Sequence, residues 1–298
     1  MAARRFSNTI SENGWIALCL NTLRKEVSGM KIHLLGTSAA EGFPGIFCQC
    51  EHCKKARILG GKNIRTRTSA IIDDILKIDF PPDTNLHVLR DGIDLSKITD
   101  LLITHTHSDH LYPEDLSMRL PIYAHGFDHP LHVYGHDLPI FLCRNRIGNT
   151  DGHIIYHHTH AYRTYEVSNY KVTPLLADHN KQESCMIFAI EKNEKSFLYG
   201  HDTGWFPHET WEWLKGKQMD LIILDCTNGH FPVRHNHLNI EAVKEMQGLF
   251  LQENILKKEG KIIVTHFSHN IGLQHQDLED IFKPLGIEVA YDGKMIEI

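Results

Sequence analysis

The sequence predicts a layered α/β sandwich in one domain, and three observations carry that expectation. Short β-branched runs alternate with turn residues and a few helical stretches from Lys31 onward. No solenoid repeat and no low-complexity linker interrupts them. With 298 residues, 42% of them hydrophobic, the chain can bury one large core or two small ones.

Taken in order, Ile32-His33-Leu34-Leu35 reads as a first strand, stopped by Gly36. Ser69 to Asp73 and Ile75 to Asp79 read as two strands joined at an Asp73-Asp74 turn, and Asp100 to Ile103 as a short buried strand. Tyr170 to Leu176, Cys185 to Ile190, Ser196 to Tyr199, Leu221 to Leu224 and Ile262 to Val264 continue the pattern. Helices are expected over 50–59, 207–214, 240–257 and 278–283. In the third, Val243, Met246, Phe250 and Leu251 form an apolar stripe that reads as core packing.

Residues 1–29 differ in character and are expected to form an N-terminal extension. The first six residues are basic, and Trp15-Ile-Ala-Leu-Cys-Leu fits a short amphipathic helix. The lack of a long apolar core and of a small-residue cleavage site argues against a secretory signal. A start of translation at Met30 is the alternative, since Arg24-Lys25-Glu26-Val27 can be encoded by a purine-rich string resembling a ribosome-binding site. The domain itself is expected over 30–298, with an insertion over about 111–165.

A formal net charge of -6 leaves no basic footprint, which argues against a long nucleic-acid partner. No apolar run is long enough to span a bilayer, so no membrane partner is expected. Seven cysteines are too few and too bunched for a secreted disulfide framework. Three of them fall within six residues, which points to metal binding in a reducing compartment, and hence to the cytoplasm.

The chemistry concentrates in Thr104-His105-Thr106-His107-Ser108-Asp109-His110, directly after the apolar Leu101-Leu102-Ile103. A strand ending in dense imidazole and carboxylate ligands suits zinc, iron or manganese at a sheet edge. Further ligands should return at later strand ends, where distant segments converge. His179, Asp202 and His266 occupy such places. Singly they read as a loop histidine, a turn or cap carboxylate and a core histidine; their order and shared setting make them a set.

A second cluster, Cys48, Cys50 and Cys53, offers three thiolates at Cys-x-Cys-x-x-Cys spacing, suited to one tetrahedral zinc rather than to unstrained disulfides. His269, three residues beyond His266, is a candidate fourth ligand, and His52 is the local competitor. His157, His158 and His160 are weighed as a further site, but a polar surface segment is the preferred reading. Cys19, Cys143, Cys185 and Cys226 read as packing residues.

The ordered ligand set resembles the metallo-β-lactamase superfamily, which implies an αββα sandwich with a two-metal hydrolytic site at one edge. By that resemblance His105, His107 and His179 hold one ion, Asp109, His110 and His266 the second, and Asp202 bridges them. Gly36-Thr37-Ser38, Glu41-Gly42-Phe43-Pro44, the cysteine cluster, Arg65 to Ser69, Leu224-Asp225-Cys226-Thr227 and Thr265-His266-Phe267-Ser268-His269 narrow the likeness. Together they look like the PhnP-type phosphodiesterases of the carbon–phosphorus lyase pathway. That branch implies a structural Zn2+ on Cys48, Cys50, Cys53 and His269, and a catalytic histidine near the scissile phosphate at His237. His235, two residues away, stays open for that role, and Asp109 is grouped with His237 among the catalytic residues.

One departure is Leu111-Tyr112-Pro113-Glu114-Asp115-Leu116, where the family has a smaller, glycine-containing turn. The long segment after it is expected to shape the substrate pocket or a homodimer contact. Arg67 is open between a phosphate contact and an acidic partner. The function expected is a dinuclear Mn2+- or Zn2+-dependent phosphodiesterase that converts a small diester, linear or cyclic, to a phosphomonoester. Three rivals are carried. A lactone or thioester hydrolase uses the same edge. A tRNA 3′-processing nuclease would need a basic arm that is not found. A non-catalytic cofactor-biosynthesis carrier could dispense with the full ligand set.

Overall fold

Successive side chains on a strand point to opposite faces, so a strand buried at every position needs cover on both sides. Leu221, Ile222, Ile223 and Leu224 are all fully buried. Leu221 and Ile223 join one apolar cluster, while Ile222 and Leu224 join another. That division places the strand in a sheet packed between another sheet and a helical layer. A computed structural model describes residues 29–298. The amphipathic stretch at Trp15, Cys19 and most of the N-terminal extension lie outside the described residues.

Two seven-stranded sheets stack face to face. In the first the spatial order is β14-β1-β2-β3-β4-β5-β6. Its strands are β1 (Lys31–Gly36), β2 (Ser69–Ile72), β3 (Leu76–Ile78), β4 (Asp100–Leu102), β5 (Leu131–Gly135), β6 (Ile154–His158) and β14 (Lys294–Glu297). The second runs β13-β12-β11-β10-β9-β8-β7. It is built from β7 (Tyr165–Val167), β8 (Tyr170–Leu176), β9 (Met186–Lys192), β10 (Lys195–Gly200), β11 (Met219–Asp225), β12 (Leu256–Thr265) and β13 (Ile287–Val289). β3 to β6 pair in parallel, as do β10 to β13. In each sheet, parallel strands therefore deliver their carboxyl ends to a common edge.

Three buried clusters fill the spaces between four layers. Ile32, Leu76, Ile78, Phe188, Leu221 and Ile263 lie between the sheets. On the outer side of the second sheet, Ile222, Leu224 and Val264 meet α5 (His208–Leu214), α6 (Ile240–Gln252) and α7 (His275–Phe282). Against the first sheet, Ile71, Leu101 and Val133 meet α3 (Pro113–Leu116) and α4 (Asp137–Ile147). The fold is the αββα sandwich. α1 (Glu51–Leu59) and α2 (Thr84–Asp91) complete the helices. Among the described residues no helix is long and apolar enough to cross a membrane.

α6 shows how the local sequence fixes an element. Asn239 accepts from the amide of Ala242 and caps the helix, a contact worth about 1 kcal/mol. Val243, Met246 and Phe250 are fully buried, each contributing roughly 1.5–3 kcal/mol of apolar burial, while Leu251 from the same expected stripe is exposed. The helix stops at Gln252, short of the expected 257, because Asn254 takes φ +54° and Leu256 already opens β12. Segment 111–165, expected as an insertion, supplies β5 and β6 to the first sheet together with α3 and α4.

Candidate metal centre

Each candidate ligand sits where a strand runs out. His105, His107, Asp109 and His110 follow β4, His179 follows β8, Asp202 follows β10 and His266 follows β12. Asp79, Asp202 and His266 hold positive φ of 57°, 53° and 61°. Such conformations cost about 1–3 kcal/mol each in a residue with a Cβ, and they cluster here at one edge.

His105, His107, His179 and Asp202 offer ligand atoms within 4.8 Å of one another, and so do Asp109, His110 and His266. Asp202 Oδ2 lies 3.2 Å from His105 Nε2, 3.0 Å from His110 Nε2 and 3.9 Å from His266 Nε2. Its carboxylate therefore stands between the two groups. Burial alone would raise the Asp202 carboxyl, but His266, His105 and His110 hold it well below the usual carboxylate range.

Second partners of the rings show which nitrogen faces inward. Nδ1 of His110 is 2.7 Å from Asp79 Oδ2, Nδ1 of His266 is 2.8 Å from Thr227 Oγ1, and Nδ1 of His105 is 3.0 Å from Thr104 Oγ1. On all three rings Nε2 is buried without a hydrogen bond, and so is Oδ1 of Asp202. Orphaned lone pairs converging on one place are costly unless a cation takes them. The donor set of imidazoles and carboxylates fits divalent metal.

His237 lies between β11 and α6. Its Nδ1 is 3.1 Å from Asp225 Oδ2 and 3.3 Å from Asp202 Oδ1. Asp225 also accepts from the amides of Leu238 and Thr227 at 2.9 Å, so one carboxylate fixes both the ring and its backbone. Burial would lower the ring's pKa, but Asp225 outweighs it and pushes it up to about 9. Together with His107, Asp109, His179 and Asp202, His237 lines a cavity of about 420 Å3. The exposed His235 does not line it. No lysine or arginine contributes to the lining among the described residues. Arg67 instead pairs with Asp83, Nε to Oδ2, at 3.3 Å.

Cys48, Cys50, Cys53 and His269 form a separate group with ligand atoms within 4.8 Å. His269 Nδ1 is 3.7 Å from Cys48 Sγ and 3.8 Å from Cys50 Sγ. Amides of Gly45 and Cys53 donate to the sulfurs of Cys53 and Cys50, as expected for thiolates. Gly45 allows the close approach: a Cβ there would lie 3.1 Å from both Cys48 Cβ and His269 Cδ2. His52 is outside the group. No metal-competent group among the described residues includes His157, His158 or His160; His157 Nε2 is 2.8 Å from His132 Nδ1, and His158 pairs with Asp137.

Asp79, His201 and Glu183 were not singled out from the sequence, and Asp225 entered only within the Leu224-Asp225-Cys226-Thr227 motif, without a role. Glu183 accepts from the Thr106 amide at 3.0 Å and the Thr106 hydroxyl at 2.7 Å, bracing the residue between two candidate ligands. A signal existed for the two aspartates, since each ends an apolar strand at the ligand-bearing edge. Glu183 carried no comparable mark.

A family profile described as a beta-lactamase superfamily domain matches residues 79–255. A search of curated protein sequences finds no match. Among solved structures, a diphosphatase from the PhnP family is similar at 23% identity and TM-score 0.71, over 91% of this chain and 97% of that one. Zn2+-bound PqqB from Methylobacterium extorquens is 15% identical with TM-score 0.71, over 90% of this chain and 100% of that one. The short form of human tRNase Z is 16% identical with TM-score 0.60, over 89% and 98%. At these identities the likeness establishes the fold.

Proposed function

This chain belongs to the beta-lactamase superfamily, and from that premise we propose that it is a metal-dependent hydrolase of a small phosphodiester. The observation that carries the reading is the convergence of orphaned Nε2 atoms from His105, His110 and His266 on the Asp202 carboxylate, beside a cavity walled by His237. His105, His107 and His179 would hold one cation and Asp109, His110 and His266 the other, with Asp202 shared. Manganese and zinc both suit the donors. When bound, such a pair supplies charge neutralisation for phosphoryl oxygens and lowers the pKa of a water toward neutrality.

The remaining work falls to this chain's own side chains. Asp225 holds His237 Nδ1 and leaves Nε2 as the nitrogen that can meet a substrate. The Asp225 carboxylate favours the protonated ring, and in that form His237 can donate to an oxygen of the diester as the leaving alkoxide departs. Expected products are a phosphomonoester and an alcohol, or one ring-opened monoester. The cavity suits a small substrate, and its lack of lysine and arginine does not favour a long polyanion. The PhnP-type motifs, and a solved fold described as a diphosphatase of that family, support phosphorus as the reacting centre. Cys48, Cys50, Cys53 and His269 would hold a structural Zn2+. Cytoplasmic residence goes with six described cysteines that form no disulfide.

One rival has its own support. A wall without lysine or arginine also suits a lactone or thioester, whose transition state carries less charge. Incubation with bis(p-nitrophenyl) phosphate, a cyclic diester and a lactone, each with manganese or zinc, decides between them. Diester turnover that disappears in Asp202→Asn is the expected result. Turnover of the lactone alone would move the assignment to carboxylic esters, and no turnover of any would favour a non-catalytic carrier.

A further inference from the structure

The outer face of the first sheet carries a lysine where strand alternation calls for an apolar residue. In β3, Leu76 and Ile78 point into the core between the sheets. Lys77 therefore points the other way, into the layer built around Ile71, Leu101 and Val133. It is only 1% exposed. An ammonium has three donors, yet among the described residues this lysine donates only to Ser69 Oγ. Asp79 is the acidic group that favours its charge, but burial dominates and draws the amine down to about 7. A buried cation so thinly partnered is expensive to keep.

Lys77 lines a cavity of about 590 Å3 that shares no lining residue with the cavity at the metal centre. Phe80, Val88, Leu101, Leu116 and Leu131 supply apolar wall. Arg119 is a second cation on the lining. Its guanidinium stacks 3.9 Å from the Phe127 ring centroid and donates to His129 O, while Nε is buried without a partner. Asp115 is the carboxylate on the lining, so lysine and arginine leave the wall with a positive excess. Apolar walls around a few convergent polar groups are the usual make-up of a small-molecule site, and this volume lies in the usual range.

We propose that this cavity binds an amphipathic monocarboxylate, its apolar tail among Phe80, Leu101, Leu116 and Leu131 and its carboxylate paired with the Lys77 ammonium. The site is independent of the hydrolase reading, since it stands on the opposite side of the first sheet from the inter-sheet core. Ser69 Oγ donates to the carbonyls of Ile78 and Asp79, which connects the cavity floor to the strand end that carries Asp79.

Titration calorimetry of the metal-loaded protein with sodium decanoate, decanol and decylamine tests it. Because a carboxylate can also bind metal, the decanoate titration is repeated on Asp202→Asn. Saturable decanoate binding is expected, retained in Asp202→Asn and weakened about tenfold or more in Lys77→Met, a loss typical of a buried charge pair. Decanol and decylamine should bind more weakly, and decanol should be indifferent to Lys77→Met. Should Lys77→Met fail to fold, Met118→Trp, at a half-exposed position on the lining, serves instead and should block decanoate by filling the cavity. Equal decanoate binding by wild type and both variants, or its loss in Asp202→Asn, overturns the site. So does a wild-type dimer that ignores decanoate and becomes monomeric in Met118→Trp, which would make a second copy the occupant.

Discussion

Nδ1 of His110 lies 2.7 Å from Asp79 Oδ2, with both side chains fully buried. The same carboxylate accepts from the Thr104 amide and hydroxyl, so Asp79 fixes a candidate ligand ring and the start of the loop that carries it. Burial alone would raise the Asp79 carboxyl, but His110 and His201 hold it below the usual range. With Nδ1 occupied, Nε2 is the nitrogen left for a cation. Asp79→Asn should weaken Zn2+ or Mn2+ binding by about 10- to 100-fold while the chain still folds. Titration of metal-free protein against a chromogenic chelator measures this, and unchanged affinity would remove the orienting role.

Glu183 ties the loop between His105 and His107 to the segment carrying His179. Burial would raise its carboxyl, but His136 and Thr106 outweigh it and hold it down to about 2. A carboxyl lower in the folded than in the unfolded chain contributes its full stability above about pH 4.5 and loses it as pH falls toward 2. Glu183→Ala leaves the amide and hydroxyl of the half-buried Thr106 without their carboxylate, at an expected cost of about 1 kcal/mol. Urea unfolding at pH 7 should show that loss, and the difference from wild type should shrink on acidification.

His237 and His235 separate cleanly by position, one on the cavity wall and one exposed. His237→Ala should lower diester turnover by about 10²- to 10⁴-fold with metal content unchanged, the range for loss of a proton donor. His235→Ala should change it little. A large loss in His235→Ala, with His237→Ala active, would reverse the assignment.

Acid sensitivity should also arise far from the metal centre. His275 Nδ1 is 3.0 Å from the Arg65 guanidinium, and its Nε2 is 3.0 Å from Glu279 Oε1. The ring must accept from Arg65, so it is held neutral; burial and Arg65 lower its pKa to about 4. Its ordinary value is 6.5. Stability is therefore complete above about pH 6.5 and falls as pH drops through about 4, by on the order of 1–3 kcal/mol. His275→Gln should flatten that limb in thermal melts recorded between pH 7 and pH 4.

Much of the fold was legible because its strands are uniformly apolar and its ligands stand just past their ends. Leu101-Leu102-Ile103 before His105 and Ile262-Ile263-Val264 before His266 give both the strand and the edge. What escaped is equally physical. Leu131–Gly135 and Ile154–His158 lie within a stretch rich in histidine and polar residues, so their apolar periods are weak, yet pairing of β5 with β4, and of β6 with β5, makes them sheet. Asp79 and Asp225 look like strand-end turns until the rings they hold are seen. Glu183 reaches Thr106 across 77 residues, a contact no local pattern encodes.

Metal analysis of purified protein beside two variants bears most directly on the paired-cation site. Emission spectrometry should find three ions per chain in wild type: one for His105, His107 and His179, one for Asp109, His110 and His266, and one for the cysteine group. Asp202→Ala should retain the cysteine-held zinc and lose the pair. Cys50→Ser should lose that zinc. Full metal content in Asp202→Ala, or a single ion in wild type under manganese or zinc supplementation, would contradict a shared carboxylate between two cations.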